Sequence, residues 1–70
     1  MKHYVERLAH IETEARRMAW SGVYMEYSAI LRRLEERGYR DAHRVFKNPW
    51  TRAEIDRLCC LARQDLKQVA

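Results

Sequence analysis

Basic side chains concentrated in the middle of the chain are the residues whose types and spacing best suit a chemical task. The 70-residue chain has a formal net charge of +4, and residues 38–50 carry three Arg or Lys side chains against one Asp, which is half of that excess. Arginine suits the oxygens of a phosphate better than lysine does. A helix, a break at Gly38 and a short second helix also suit DNA recognition. The pattern therefore predicts a nucleic-acid-binding surface formed by Arg37, Arg40, His43, Arg44 and Lys47.

Two observations weigh against this interpretation. The position four residues before Gly38 is Leu34, where the helix-turn-helix pattern has a small residue. A net charge of +4 is also small for a chain that must neutralise several phosphates. A solvated basic surface accounts for the same residues, so the sequence keeps both interpretations open.

Aromatic residues predict a different partner, another protein. They make up 10% of the chain, which is more than so small a core easily hides, and Tyr, Trp and Arg are enriched at binding hot spots. The interaction surface predicted on this basis contains Tyr24, Tyr39 and Trp50. In this alternative the protein is an adaptor, an inhibitor or an antiactivator, and it could act as a homodimer.

The remaining reactive side chains do not form a catalytic or metal-binding pattern. Cys59 and Cys60 are adjacent, and a disulfide between them would break a helix, so we expect two free thiols with Cys60 the more exposed. His3 and His10 share a helix face, but metal sites usually have three or four ligands. No glycine-rich loop or serine elbow is present in the sequence. We therefore predict that the protein is not an enzyme and has no metal site or cofactor.

Few residues interrupt the helical patterns of the chain. Gly22, Gly38 and Pro49 divide it into segments of helical length, and glycine commonly ends helices. Neither the alternation typical of strands nor a hairpin turn appears. The sequence predicts an all-α fold, a small bundle of three longer helices at about residues 3–20, 25–37 and 52–68 plus one short helix at about residues 40–46.

Apolar residues at steps of three and four define one buried face of each predicted helix. The stripe of the first helix either covers the other helices or pairs with its own copy in a symmetric dimer, and we favour the first arrangement. We expect the core to contain Tyr4, Leu8, Ile11, Ala15 and Met18 from the first helix, with Val5 and Ala19 widening this stripe, Tyr27, Ile30, Leu31 and Leu34 from the second, Ala42, Val45 and Phe46 from the third, and Ile55, Leu58, Cys59, Ala62, Leu66 and Val69 from the fourth.

The start of the fourth helix has the clearest local signal. Thr51 is placed to cap the helix, Glu54 stands where it can bond back to the cap, and Trp50 and Ile55 form a hydrophobic staple. We expect Trp50 to anchor the core at this junction and, with Phe46, to close one end of the bundle.

The length of the chain limits its organisation. We expect residues 1–70 to form one domain. A domain of this size buries only about 60% of the surface of its unfolded chain, so dimerisation would add stability. No run approaches the roughly 18 apolar residues of a membrane span, and an acidic residue comes too early for a secretory segment. We expect a cytoplasmic protein without a membrane partner.

Several residues spread over about two-thirds of the chain suggest a relationship. They are Ser21-Gly22-Val23-Tyr24, Ile30, Leu34, Gly38-Tyr39, Ala42, the segment from Arg52 to Cys59, and Ala62-Arg63. This set resembles a group of small uncharacterised helical proteins from proteobacteria. The resemblance implies a single helical domain of bacterial origin, and it implies no activity.

Overall fold

Residues 2–69 form four helices, which confirms the predicted all-α fold. The computed structural model describes the backbone of residues 2–69 and the side chains of residues 4–64. The helices are α1 (Lys2–Trp20), α2 (Tyr27–Glu36), α3 (Ala42–Val45) and α4 (Pro49–Val69). No strand occurs in residues 2–69. Each predicted helix is present, and its predicted ends lie within three residues of the observed ones.

The core is built from small and medium-sized side chains. Among residues 4–64, four of the twelve buried residues are alanines, and Leu34 and Ile30 of α2 are fully enclosed. Small side chains allow helix axes to approach closely, which leaves little space for large residues in the interior. The buried residues are Ile11, Ala15, Met18, Ala19, Ile30, Leu34, Ala42, Val45, Phe46, Ile55, Cys59 and Ala62.

The predicted core is largely confirmed. Among the residues predicted to be buried, Tyr4, Leu8, Tyr27, Leu31 and Leu58 are half-buried rather than enclosed. The prediction for Val5 is wrong, because this residue at the edge of the stripe is 67% exposed. The central residues of the α1 stripe lie inside the bundle, which confirms that the stripe packs on the other helices. The predictions for Leu66 and Val69 lie outside the residues whose side chains the structure describes.

The helices α1 and α4 run in the same direction and are staggered. They meet where Arg16 contacts Glu54. From these residues, α1 extends back 14 residues to Lys2 and α4 extends forward 15 residues to Val69, or roughly 21 Å and 22 Å at 1.5 Å per residue. Their sum matches the 45 Å longest dimension of the molecule, whereas antiparallel helices would overlap and give a shorter molecule.

The second helix begins two residues later than predicted because its cap comes from another helix. Glu26 is the N-cap residue, and its side chain makes no capping hydrogen bond. Instead, the Tyr27 backbone N–H donates to the Asp56 carboxylate of α4 at 2.7 Å. A free N–H at a helix start needs such an acceptor, and a negative charge there also suits the helix dipole. Local sequence carries no signal of this contact.

The end of α2 agrees with the prediction that Gly38 terminates it. Gly38 has φ +92°, the left-handed region that glycine occupies without steric cost. The Tyr39 N–H donates to the Leu34 carbonyl at 3.0 Å, and the Gly38 N–H donates to the Glu35 carbonyl at 3.0 Å. This pair of bonds is the Schellman motif, which satisfies carbonyls at the helix end.

The predicted start of α4 is wrong in three respects. The helix begins at Pro49 rather than after Thr51, and the Asn48 side chain caps it by accepting the Trp50 N–H at 2.9 Å. Trp50 is 82% exposed and is not a core anchor. The Glu54 carboxylate binds Arg16 instead of returning to the cap. Asn at the cap with Pro at the first position is an equally good helix start, so it outcompetes the Thr51 alternative.

The two cysteines differ in exposure as predicted. Cys59 is buried and Cys60 is exposed, and both are free thiols. Burial, the largest cause, raises the pKa of the Cys59 thiol, because a thiolate loses its hydration in an apolar interior.

Candidate interaction surfaces

Most of the predicted basic residues lie in the segment from residue 40 to residue 47. We define the basic strip as Arg40, His43, Arg44 and Lys47, all of which are exposed. His43 and Arg44 belong to α3, and Arg40 and Lys47 lie two residues beyond its two ends, while Ala42, Val45 and Phe46 are buried in the core. Arg37 is also exposed, but it belongs to the end of α2.

Part of the basic strip is already engaged within the molecule. The Arg44 guanidinium donates to the Tyr4 hydroxyl at 3.0 Å and lies 5.6 Å from the centre of its ring. This hydrogen bond is the main reason that the pKa of Arg44 is raised. Arg44 is also 3.9 Å from the Asp41 carboxylate, which contacts Arg7 at 3.4 Å. Arg44 therefore joins the α3 segment to α1.

The segment also offers little as a DNA recognition element. The helix α3 has four residues, which is roughly 6 Å and about one turn. A recognition helix that lies in the major groove presents several side chains to the bases along its length. The basic strip is therefore suited to contacts with phosphates rather than to reading base edges.

The three aromatic residues of the predicted interaction surface are not brought together. Tyr24 and Tyr39 are half-buried and pack against the core. The Tyr39 hydroxyl lies 3.3 Å from His10 Nε2, and Tyr39 lines an open groove of about 900 Å³ between α1 and the turn after α2. Trp50 lies on a different part of the surface, in a shallow depression with Ala53 and Arg57. Of the three, only Trp50 is a highly exposed aromatic side chain.

A second exposed tryptophan, which the sequence analysis missed, lies on the neighbouring helix. Trp20 is 52% exposed at the end of α1. It follows Arg16 by four residues and so shares a helix face with it. Trp20 does not belong to the apolar stripe of α1, and its position among polar residues is the signal that would have identified it. A large aromatic residue on a polar helix face has no place in the core of the same chain.

The exposed faces of α1 and α4 form one continuous surface. On α4, the spacing of four, three and four residues from Trp50 to Leu61 keeps the residues on one face. Arg16 links the two helices, since its guanidinium contacts the Glu54 carboxylate at 3.1 Å. We define the two-tryptophan face as Glu12, Arg16 and Trp20 of α1 with Trp50, Glu54, Arg57 and Leu61 of α4.

The charges of the two-tryptophan face cancel. It carries two arginines and two glutamates, so its formal charge is zero on a chain of net charge +4. Arg16 contacts both Glu54 and Glu12, the latter at 3.8 Å. No ion pair joins Arg57 to another of the residues whose side chains are described. The face thus combines aromatic area with neutral polar surroundings, as protein interfaces commonly do.

The described part of the chain contains neither a group of metal ligands nor a helix that could span a membrane. Within it, no three His, Cys, Asp or Glu side chains gather as metal ligands. None of the described helices combines the length and apolar character needed to cross a bilayer. His3, which shares a face of α1 with His10, lies outside the residues whose side chains are described.

Comparisons of the chain with protein-family models, with curated proteins and with solved structures gave no match. The resemblance to small proteobacterial proteins therefore stays a prediction.

Proposed function

We propose that this protein is a small, non-enzymatic interaction module that binds another polypeptide through the two-tryptophan face. The observation that carries the proposal is the 82% exposure of Trp50 on a regular helix. Leaving a large apolar ring in water costs free energy that burial in a partner recovers, at about 25 cal/mol per Å². Trp50 is held by helical backbone, so less conformational entropy is lost on binding than for a loop residue.

Trp20 strengthens this proposal because it extends the same face. Tryptophan and arginine are the residues most enriched at binding hot spots, and the face contains two of each. Buried residues of α1 and α4, among them Ala15 and Ile55, share one core that holds the two helices together, so both rings are presented on a preorganised surface.

Nucleic-acid binding through the basic strip is the second candidate. It is favoured by the exposed side chains of Arg40 and Lys47, neither of which is held in an ion pair among the described residues. We place it second because Arg44 is engaged with Tyr4 and α3 is a single turn. Binding of this kind would rest on phosphate contacts, and it would weaken steeply as salt rises.

Two matched double variants separate the candidates. The first replaces both tryptophans (Trp20→Ala with Trp50→Ala), and the second replaces two free cations (Arg40→Ala with Lys47→Ala). Each variant and the unmodified chain are immobilised to capture proteins from an extract of the source cells. Each is also titrated into labelled duplex DNA, with fluorescence anisotropy read at about 50 mM and about 150 mM salt.

We expect the tryptophan variant to lose a captured protein that the cation variant retains. Retention of every captured protein by the tryptophan variant would contradict the proposal. Salt-sensitive DNA binding that only the cation variant loses would establish the second candidate instead. Circular dichroism spectra of both variants check that the helices remain.

A further inference from the structure

We infer that the occupant of the two-tryptophan face is a second copy of this chain, in a dimer with a two-fold axis that passes close to the Arg16 and Glu54 pair. In this dimer Trp50 of each copy packs on Trp20 of the other. The inference rests on the proposed function, because it names the partner of that same face.

The positions of the two tryptophans suit a dimer with two-fold symmetry. Trp20 follows Arg16 by four residues, and Trp50 precedes Glu54 by four residues, so each ring lies roughly 6 Å along its helix from the ion pair. Because α1 and α4 run in the same direction, the two rings lie on opposite sides of the pair, at equal distances from it. We place the two-fold axis in the plane of the face, perpendicular to the line that joins the two rings. Rotation about this axis places Trp20 of one copy opposite Trp50 of the other. The contact between Trp20 and Trp50 therefore forms twice, once in each direction, as an isologous interface requires.

The zero formal charge of the two-tryptophan face also favours a second copy of this chain as its partner. Two copies of a chain with net charge +4 repel each other at most orientations. The two-tryptophan face is the exception because its two arginines and two glutamates cancel. The two-fold axis also brings the Arg16 and Glu54 pair of one copy close to that of the other, so this part of the contact is electrically neutral. A strongly acidic or basic partner would find no opposite charge here.

The exposed area of the two tryptophans indicates how strong the dimer is. Tryptophan side chains bury about 150 to 250 Å² each, so two rings that are 82% and 52% exposed offer on the order of 300 Å² per copy. A standard interface buries about 800 Å² per partner. The flanking charged residues and Leu61 enlarge the contact without bringing it to the size of an obligate dimer. We therefore expect a reversible dimer with a dissociation constant in the micromolar range.

The test measures mass and tryptophan emission over a range of protein concentrations. Sedimentation equilibrium from about 1 to about 500 µM spans the affinities of small interfaces, and the mass should rise from 8.5 kDa towards twice that value. The chain contains two tryptophans, and both lie on this face. Dimerisation should therefore shift the whole tryptophan emission to shorter wavelength over the same concentrations.

Single variants test whether this face is responsible. Trp50→Ala and Trp20→Ala should each raise the dissociation constant at least tenfold, because each removes one side of both ring contacts. Met25→Ala is the matched control. Met25 is 67% exposed, but it lies just before Tyr27, which contacts Arg52 and Asp56 on the opposite side of α4. This control should leave the dissociation constant unchanged.

A mass of 8.5 kDa at every concentration would overturn the dimer, as would a dimer whose dissociation constant both tryptophan variants leave unchanged. If the chain is monomeric but captures another protein only with both tryptophans present, the dimer is wrong and the proposed function stands. If the tryptophan variants change neither mass nor capture, both are wrong.

Discussion

The enclosed side of α2 and the two-tryptophan face are both apolar, but they differ in the size and exposure of their side chains. Ile30 and Leu34 have no exposed surface and are surrounded by the other helices. The two tryptophans, the largest side chains of the protein, are both on the outside. The difference shows that the close packing of this bundle depends on small residues. Its largest apolar side chains, the two tryptophans, are left exposed.

Shortening one side chain in each region tests whether the two regions differ in their contribution to the free energy of unfolding. Leu34→Ala should lower the free energy of unfolding by about 2 to 5 kcal/mol, because it removes buried contacts and leaves a cavity. Trp50→Ala should change it by less than about 0.5 kcal/mol, since an exposed side chain makes few contacts to lose. Urea denaturation of the monomer measures both. A loss above about 1.5 kcal/mol for Trp50→Ala would show that the ring supports the fold.

A second test enlarges one alanine in the core and one beside the two-tryptophan face. Ala15 is fully buried in α1, and Ala15→Leu should cost about 1 to 3 kcal/mol by overpacking the helix interface. Ala53 is exposed beside Trp50, and Ala53→Leu should stay within about 0.5 kcal/mol. Leucine and alanine have similar helix propensities, so the difference isolates packing. Equal effects at the two positions would contradict close packing between the helices.

The acidic residues on the two sides of α4 give a smaller contrast. Asp56 accepts the Tyr27 N–H inside the bundle, and Asp56→Ala should cost about 1 to 2 kcal/mol because that N–H loses its acceptor. Asp56→Asn, which keeps an acceptor oxygen, should recover most of the loss. Glu54 belongs to an exposed ion pair, and Glu54→Ala should cost less than about 1 kcal/mol. Thermal denaturation curves of the three variants test this order.

The smallest effect is expected at Glu14, an acidic residue of α1 outside both regions. The hydrogen bond from Arg17 at 2.7 Å is the main cause that lowers the pKa of Glu14 below its ordinary value. A depressed carboxyl pKa contributes stability above the pKa of the unfolded chain, and that contribution is lost as pH falls through the folded value. Glu14→Gln should therefore lower the melting temperature slightly at pH 7 and leave it unchanged in acid, where the wild-type carboxyl is protonated as well.

These contrasts also explain how far the sequence could predict the structure. Helix periodicity and the glycine at the end of α2 are local signals, and they predicted the fold and most of the core. The cap of α2 and the contact between Arg44 and Tyr4 join residues that are 29 and 40 positions apart, and no local pattern indicates them. The predicted burial of Trp50 is wrong because it assumes that α4 begins after Thr51. The helix already begins at Pro49, with Asn48 as its cap.

The candidate site was predicted in part. The sequence predicts Trp50 as part of an interaction surface, although the staple pattern also predicts it in the core. Trp20 belongs to the face only because α1 and α4 lie side by side with the observed stagger, which is a tertiary feature. The exposed basic strip was predicted from spacing alone, while the engagement of Arg44 depends on where α1 begins.

The adjacent cysteines of α4 allow the motion of this helix to be measured without an added label. A small thiol reagent reaches exposed Cys60 directly. Buried Cys59 reacts only when α4 separates from the bundle, since burial also raises its pKa and keeps the thiol protonated. Both thiols experience the same reagent, temperature and pH, so the ratio of their modification rates estimates the equilibrium constant for local opening of the bundle around α4.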